Sequence, residues 1–372
     1  MKQRFHWRDG NRIDLMVDGE NFFPVMLREM DRARHCILLE FYIVSSGRLF
    51  NRFMAAMLAA VNRGVRVQLI IDGFGALNFS STDRNRLESA GVQVVVYNPL
   101  KLLKWTRNFA RDHRKLLIID KQIAFIGGAG LSDEYWLSDS PGGAWHDLMG
   151  CLQGPVVADL QVTYKQLWSQ CQGLNYLSEE TFCAPVGEAS VRVTTVQGIS
   201  QQDIKARVLQ QINQAEDTIW LVTAYFLPSF SMRTALRRAA RRGVDVRLII
   251  AGPYTDVPWV YHASKRYYRA LLKAGVRLYE YQPRFLHAKA ALIDSWTTLG
   301  SSNLDHWNMR WNLEANIEVR DRVFTAHLAQ VLRDDMAQSE EVTLAVWAQR
   351  AWHKKIIEYI WAWLARLALK IR

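Results

Sequence analysis

Leu286-His287-Ala288-Lys289-Ala290-Ala291-Leu292-Ile293-Asp294, followed by Ser295-Trp296-Thr297-Thr298-Leu299 and then Gly300-Ser301-Ser302-Asn303, is the stretch that decides how this chain is read. It sets His287, Lys289 and Asp294 at the spacing His-x-Lys-x4-Asp, and a second short apolar run closes on the Gly-Ser-Ser-Asn turn. The same spacing occurs earlier as His113, Lys115 and Asp120, followed by Ile126-Gly127-Gly128. A unit carried twice implies one active site assembled from two halves. Leu116 to Ile119 is a continuous apolar run, as expected of a strand buried on both faces. Residues i and i+2 of a strand share a side, so each imidazole projects beside an ammonium. Two such pairs suit capture of an anionic group by two cations and attack on it by one of the imidazoles. The glycines, Gly128 among them, let backbone approach the bound group, and Ser301, Ser302 and Asn303 can offer further donors.

The repeat extends well beyond these units. Asn11 to Val17 reads as a strand and Glu20 to Arg34 as a helix, a layout that returns at Ala189 to Val196 and Ile199 to Gln214. Cys36-Ile-Leu-Leu-Glu-Phe-Tyr-Ile is matched by Thr218-Ile-Trp-Leu-Val-Thr-Ala-Tyr-Phe. Arg63-Gly-Val-Arg-Val-Gln-Leu-Ile-Ile-Asp-Gly is matched by Arg242-Gly-Val-Asp-Val-Arg-Leu-Ile-Ile-Ala-Gly, and Ala90-Gly-Val by Ala274-Gly-Val. In each, a glycine sits where a helix ends and a buried strand begins. Strands alternating with helices argue for an α/β class. The expected organisation is two lobes related by a pseudo-twofold axis, each a mixed β-sheet flanked by helices. They span 1–175 and 188–340, joined by a polar connector at 176–187 and followed by a basic, tryptophan-rich segment at 341–372.

The duplicated His-Lys-Asp motif, with Gly300-Ser301-Ser302-Asn303-Leu304-Asp305 after its second copy, resembles the signature of the phospholipase D superfamily over nearly the whole chain. Within it the chain is most similar to bacterial cardiolipin synthases of the short type, without N-terminal membrane spans. That resemblance implies a double displacement through a phosphatidyl group on histidine nitrogen, with phosphatidylglycerol as donor and cardiolipin as product. By analogy His113 is the nucleophile and His287 the acid and base. Lys115, Lys289 and Asn303 hold the non-bridging phosphate oxygens, with Ser301 or Ser302 adding a donor. A carboxylate behind each imidazole fixes its tautomer; the family pattern points to Glu314 in the second half, with Asp147 as its counterpart in the first. Asp120 and Asp294 complete the motif, but as residues that end buried strands they are expected to bond backbone or a basic side chain. One departure is Gly130, where relatives commonly carry Asn. The mechanism asks for no metal or other cofactor, since the lysines supply the positive charge.

Charge points toward an anionic partner: 47 Lys and Arg against 36 Asp and Glu give a net +11. Cys36, Cys151, Cys171 and Cys183 show no metal-ligand spacing and read as reduced thiols. Leu102, Leu103, Trp105 and Phe109 alternate with basic residues just before His113, a pattern that suits the interface of an anionic bilayer. Ile360, Trp363, Leu364 and Leu367 follow helical spacing among basic residues, as in an amphipathic helix lying on a membrane. The expected partners are anionic phospholipids (phosphatidylglycerol and cardiolipin) and a membrane surface, with no nucleic acid. The expected location is the cytoplasmic face of a bacterial inner membrane, as a peripheral protein. Of the histidines, His6, His35, His262, His306, His327 and His353 lack catalytic context, and His146, in Trp145-His146-Asp147, stays ambiguous. Transfer to a second lipid and hydrolysis to phosphatidic acid share their first half-reaction, so the motifs leave both open; a nuclease lacks a visible stacking platform.

Overall fold

The computed structural model describes residues 4–100, 108–139, 142–176, 183–198, 201–303 and 311–349. The first half runs β1 (Arg8–Val17), α1 (Gly19–Arg32), β2 (Cys36–Phe41), α2 (Arg48–Asn62), β3 (Arg66–Asp72), α3 (Ser81–Ser89), β4 (Gln93–Tyr97), β5 (Lys115–Ile119), β6 (Ile123–Gly127), β7 (Leu148–Gln153) and α4 (Val156–Cys171). The second half repeats it as β8 (Ala189–Gln197), α5 (Asp203–Gln214), β9 (Thr218–Thr223), α6 (Phe230–Arg241), β10 (Asp245–Ala251), α7 (Pro258–Ser264), α8 (Tyr268–Leu272), β11 (Arg277–Tyr281), β12 (Ala290–Ile293), β13 (Trp296–Gly300), β14 (Leu313–Arg320) and α9 (Arg322–Ala337). Then come β15 (Ser339–Val342) and α10 (Leu344–Ala348).

All the described strands join one sheet in the order β15-β11-β10-β9-β12-β13-β14-β8-β1-β7-β6-β5-β2-β3-β4. Leaving aside β15, the order reads the same from either end once each strand is replaced by its repeat counterpart, which is the pseudo-twofold expected from sequence. The halves meet at the antiparallel β1 and β8 pair, whose register shifts between Arg8 and Asn11. Helix-ending glycines sit where the repeat placed them: Gly64, Gly91, Gly243 and Gly275 have φ of 81, 100, 96 and 94°, a region open to glycine at little steric cost.

Strand alternation sorts most of the apolar side chains into three large cores, beside a small cluster of Leu227, Val260 and Ala263. In β5, Leu117 and Ile119 face outward under α1 and α2, while Leu116 and Ile118 face inward. In β12, Ala291 and Ile293 face α5 and α6, while Ala290 and Leu292 face inward. The inward faces of both halves merge into one central core with Val157 and Leu160 of α4 and Leu328 and Leu332 of α9. At about 25 cal/mol per Å² of apolar surface removed from water, a core shared by both halves binds them strongly together. β15 pairs antiparallel with β11, so the second half of the sheet continues past residue 340. Trp347 of α10 is buried with its ring 4.9 Å from Tyr268, so this part of the tryptophan-rich segment packs on the second half. Leu102, Leu103, Trp105, Ile360, Trp363, Leu364 and Leu367 lie outside the described residues.

Asp120 and Asp294 open the hairpins β5-β6 and β12-β13 with φ of 50° each, a left-handed conformation that Asp tolerates better than most side chains. The Asp120 carboxylate accepts from the backbone N–H groups of Arg34, His35 and Cys36 at 2.8, 2.7 and 2.9 Å. Asp294 does the same for Glu216, Asp217 and Thr218 at 3.0, 3.1 and 2.8 Å. Both tie the start of a central strand to a hairpin turn. Replacing Asp294 by Asn should therefore cost about 1–3 kcal/mol of stability while turnover per folded molecule stays near wild type; denaturant unfolding beside activity on the same preparation checks this.

Candidate active site

The segments just ahead of β5 and β12 pair with the opposite half of the molecule. His113 N–H donates to Leu313 O at 2.9 Å, and Leu313 N–H to Arg111 O at 2.8 Å. In the mirror arrangement His146 N–H donates to Phe285 O at 2.9 Å and His287 N–H to His146 O at 2.8 Å. The residue following each bridging position is a carboxylate, Glu314 in one case and Asp147 in the other. Each therefore arrives behind the imidazole of the other half. His113 Nδ1 lies 3.1 Å from Glu314 Oε2, and His287 Nδ1 lies 2.6 Å from Asp147 Oδ2. With Nδ1 donating to a carboxylate, Nε2 of each ring is the nitrogen left with its lone pair.

The lysines stand with the histidines as strand geometry requires. Lys115 Nζ donates to His113 O at 2.5 Å and lies 5.1 Å from the centroid of the Tyr42 ring. Lys289 Nζ sits 3.0 and 2.9 Å from the two ring nitrogens of His287 and also bonds the His287 carbonyl. Both His-Lys pairs and both carboxylates are buried. Burial, aided by the two ammonium groups, pulls His113 and His287 well below the usual imidazole range. Burial also pulls Lys115 down to about 7 and pushes Asp147 up to about 7 and Glu314 up to about 8. Such a cluster of displaced titrations is characteristic of a reacting centre.

Both histidines open onto one cleft of about 650 Å³. Around His287 the rings of Tyr135, Trp145 and Phe285 stand 5.3, 5.4 and 5.7 Å from the imidazole, and Tyr42 lies 4.8 Å from His113. Phe74 and Trp259, which also line the cleft, are 49% and 37% exposed, so its mouth is apolar at the surface. Tyr225 and Asp256 face it too, joined by bonds of 2.7 Å from the phenol to both carboxylate oxygens.

The turn residues divide differently from the sequence expectation. Ser301 Oγ donates to Glu314 Oε2 at 2.5 Å, so its hydroxyl serves the carboxylate. Ser302 is held by its backbone N–H to Asn316 Oδ1 at 3.1 Å and by its hydroxyl to Asn303 O at 3.3 Å. Gly128 occupies the place of Ser301 in the first half, and a Cβ there would collide with the Asp147 carboxylate. Its close approach is to Asp147. At Gly130, where Asn was expected, a Cβ would come within 2.8 Å of Ile43 Cβ, so the first half has packed this position shut. Asn303 is fully buried with neither amide atom bonded among the described residues, which leaves its amide for a ligand. Phe109, from the segment read as a membrane contact, lies 6.4 Å from Trp311 and is half-buried.

Sequence reasoning missed the crossing of carboxylates between halves and the aromatic lining. Tyr42 and Tyr225 each follow a repeated strand, a signal present in the repeat but not used.

The family described as cardiolipin synthase, PLD-like domain matches residues 26–168 and 208–336. The chain belongs to this family. Cardiolipin synthase B of Shigella flexneri is 37% identical over 361 residues, covering 93% of this chain and 86% of the relative. Its counterpart in Escherichia coli K12 gives the same figures. Cardiolipin synthase 2 of Bacillus anthracis is 32% identical over 360 residues, 95% of this chain and 70% of the relative. Among solved structures, phosphatidylserine synthase from Haemophilus influenzae Rd KW20 superposes with a TM-score of 0.74 over 96% of this chain and 93% of that one, at 11% identity. Polyphosphate kinase from Porphyromonas gingivalis superposes at 0.64 over 90% of this chain and 49% of that one, at 14% identity. At these identities the likeness shows the fold alone, with its two similar halves.

For this member of the cardiolipin synthase, PLD-like family, Asp147→Asn and Glu314→Gln should each lower kcat by roughly 10²- to 10⁴-fold with little change in KM, the cost of losing an imidazole's tautomer partner. Because burial raises Asp147 to about 7 and Glu314 to about 8, acid removes the carboxylates that hold the imidazoles. Activity should accordingly begin to fall as pH drops through about 8, and fall more steeply than for one proton through about 7; a pH profile of kcat/KM checks this.

Proposed function

We propose that this protein is a cardiolipin synthase, moving a phosphatidyl group from phosphatidylglycerol to the head-group hydroxyl of a second phospholipid. The observation that carries this reading is the pair of buried His-Lys units, each imidazole backed by a carboxylate from the opposite half, opening on a single apolar cleft. Relatives bearing the name cardiolipin synthase over nearly the full chain support it.

In the proposed course His113 Nε2 attacks the lipid phosphorus. The bond from phosphorus to the glycerol oxygen breaks, and His287, entering the step as an imidazolium held between Asp147 and the bound phosphate, delivers its Nε2 proton to that oxygen. His287 then takes the proton of the acceptor hydroxyl. The acceptor oxygen attacks phosphorus, and the phosphorus–nitrogen bond to His113 breaks. Lys115, Lys289 and Asn303 hold the non-bridging oxygens while negative charge builds. The assignment of acid and base to His287 is supported by its surroundings, with Asp147 at 2.6 Å and three aromatic rings within 5.7 Å. An enclosed apolar wall disfavours water, which competes with the second lipid for the intermediate.

Exposed Phe74 and Trp259 at the cleft mouth, with a net charge of +11, support access from an anionic bilayer surface. Among the described residues no helix is long and apolar enough to cross a membrane. Peripheral attachment, on the cytoplasmic face, is part of the proposal.

Incubation with phosphatidylglycerol liposomes, alone and mixed with phosphatidylethanolamine, beside a His113→Ala control should give cardiolipin and free glycerol only with the intact protein. Phosphatidic acid as the sole product would replace transfer by hydrolysis. Trapping the phosphorylated intermediate should label the peptide containing His113; label on His287 would reverse the two roles.

A further inference from the structure

His146 is buried, lines no part of the cleft and belongs to neither His-Lys pair, yet it sits within a dense set of charges. Its Nδ1 donates to Asp18 Oδ1 at 2.8 Å, and its Nε2 lies 3.0 Å from Asp335 Oδ1 of α9. Its ring stacks on Tyr281 of β11, with centroids 5.3 Å apart and planes 20° apart. Arg284 bonds the other oxygen of Asp18 and donates to Ala144 O at 3.0 Å. Asp18 also grips Asp147 directly: its backbone N–H donates to Asp147 O at 2.9 Å, and its Oδ1 accepts from Asp147 N–H at 3.2 Å.

Asp18 occupies the N-cap position of α1, where an Asp side chain normally accepts from the helix's first N–H groups. Here it makes no such bond, and its φ is 66°. A cap forgone and a left-handed backbone both carry a cost, and what they secure is the grip on His146, Arg284 and Asp147. The device is one-sided. In the mirror arrangement the position of His146 is held by Leu313, and Glu314 is steadied by Ser301 instead.

We propose that Asp18, His146, Arg284 and Asp335 form a clamp across the two halves that positions Asp147 against His287, making His146 a positioning residue for the acid and base. This rests on the functional reading above. The groups facing Asp147 are His287, Lys289, Lys115 and Tyr135 from the site and His146 and Asp18 from behind. The two carboxylates beside His146 raise it to about 10, so it is a cation at neutral pH and helps keep Asp147 ionised. Removing that cation moves the titration of Asp147 upward.

The test measures cardiolipin formation on phosphatidylglycerol liposomes as a function of pH, with melting temperatures alongside, for the full-length wild type, His146→Gln, His146→Lys and Asp335→Asn. In His146→Gln, kcat should fall about 10-fold or more with KM within about twofold, and the acid limb of kcat should move to higher pH by about half a unit to one unit. Asp335→Asn, which leaves His146 charged against Asp18 and removes one anion, should leave the limb in place or move it slightly to lower pH, and His146→Lys should bring it back toward wild type. A limb that stays in place in His146→Gln, whatever its melting temperature, overturns the clamp. Should His146→Gln fail to fold, Arg284→Gln, which takes the clamp's other cation from Asp18, decides by the same criterion. A wild type that makes no cardiolipin would instead overturn the functional reading.

Discussion

Two hydrogen bonds between halves govern this molecule: Glu314 to His113 and Asp147 to His287, at 3.1 and 2.6 Å. Neither half holds both a motif imidazole and the carboxylate behind it, so the paired site exists only while the two halves of the sheet keep their register across the pseudo-twofold. That places a tight demand on the scaffold, because a displacement of about 1 Å at a reacting centre can cost two orders of magnitude in rate. The central core, filled from both inward sheet faces and from α4 and α9, meets the demand. So does the backbone bridging on either side of each histidine. The carboxylates, being buried, penalise any separation of the halves further, since a buried charge stripped of its partner costs several kcal/mol.

What the sequence displayed and what it hid follow from the range of the interactions. The strand ahead of each Asp, the glycine that ends each helix and the side shared by His and Lys are set by neighbours within a few residues, and all are found in the structure. Glu314 and Asp147 could be picked out as carboxylates, but which imidazole each serves depends on partners 201 and 140 residues away. No local spacing carries that information. Ser301 shows the same limit in a smaller way: its hydroxyl was equally available to a phosphate or to Glu314, and packing chose Glu314. Gly128 looked like a place for phosphate to approach, whereas the group that approaches is Asp147. The aromatic wall was hidden because Tyr42, Tyr135, Trp145 and Phe285 come from separate connections that converge only in three dimensions.

In the proposed mechanism a nearly symmetric sequence assigns different duties to two identical imidazoles, one forming a bond to phosphorus while the other moves protons. The motifs cannot supply the difference, but their surroundings can. Behind His113 stand Glu314 and the neutral hydroxyl of Ser301; behind His287 stand Asp147 and, beyond it, the charged set of Asp18, His146, Arg284 and Asp335. The phosphate side is equally uneven, with Asn303 in one half facing the closed packing at Gly130 in the other. A carboxylate kept ionised by a nearby cation holds its imidazole in one tautomer through repeated gain and loss of a proton at Nε2, which is what an acid and base requires. A nucleophile has the simpler need of a neutral ring aimed at phosphorus, and Glu314, steadied by the Ser301 hydroxyl, meets it without a second cation. The proposed division of labour therefore arises one layer behind the histidines, in residues brought together only by the two assembled halves.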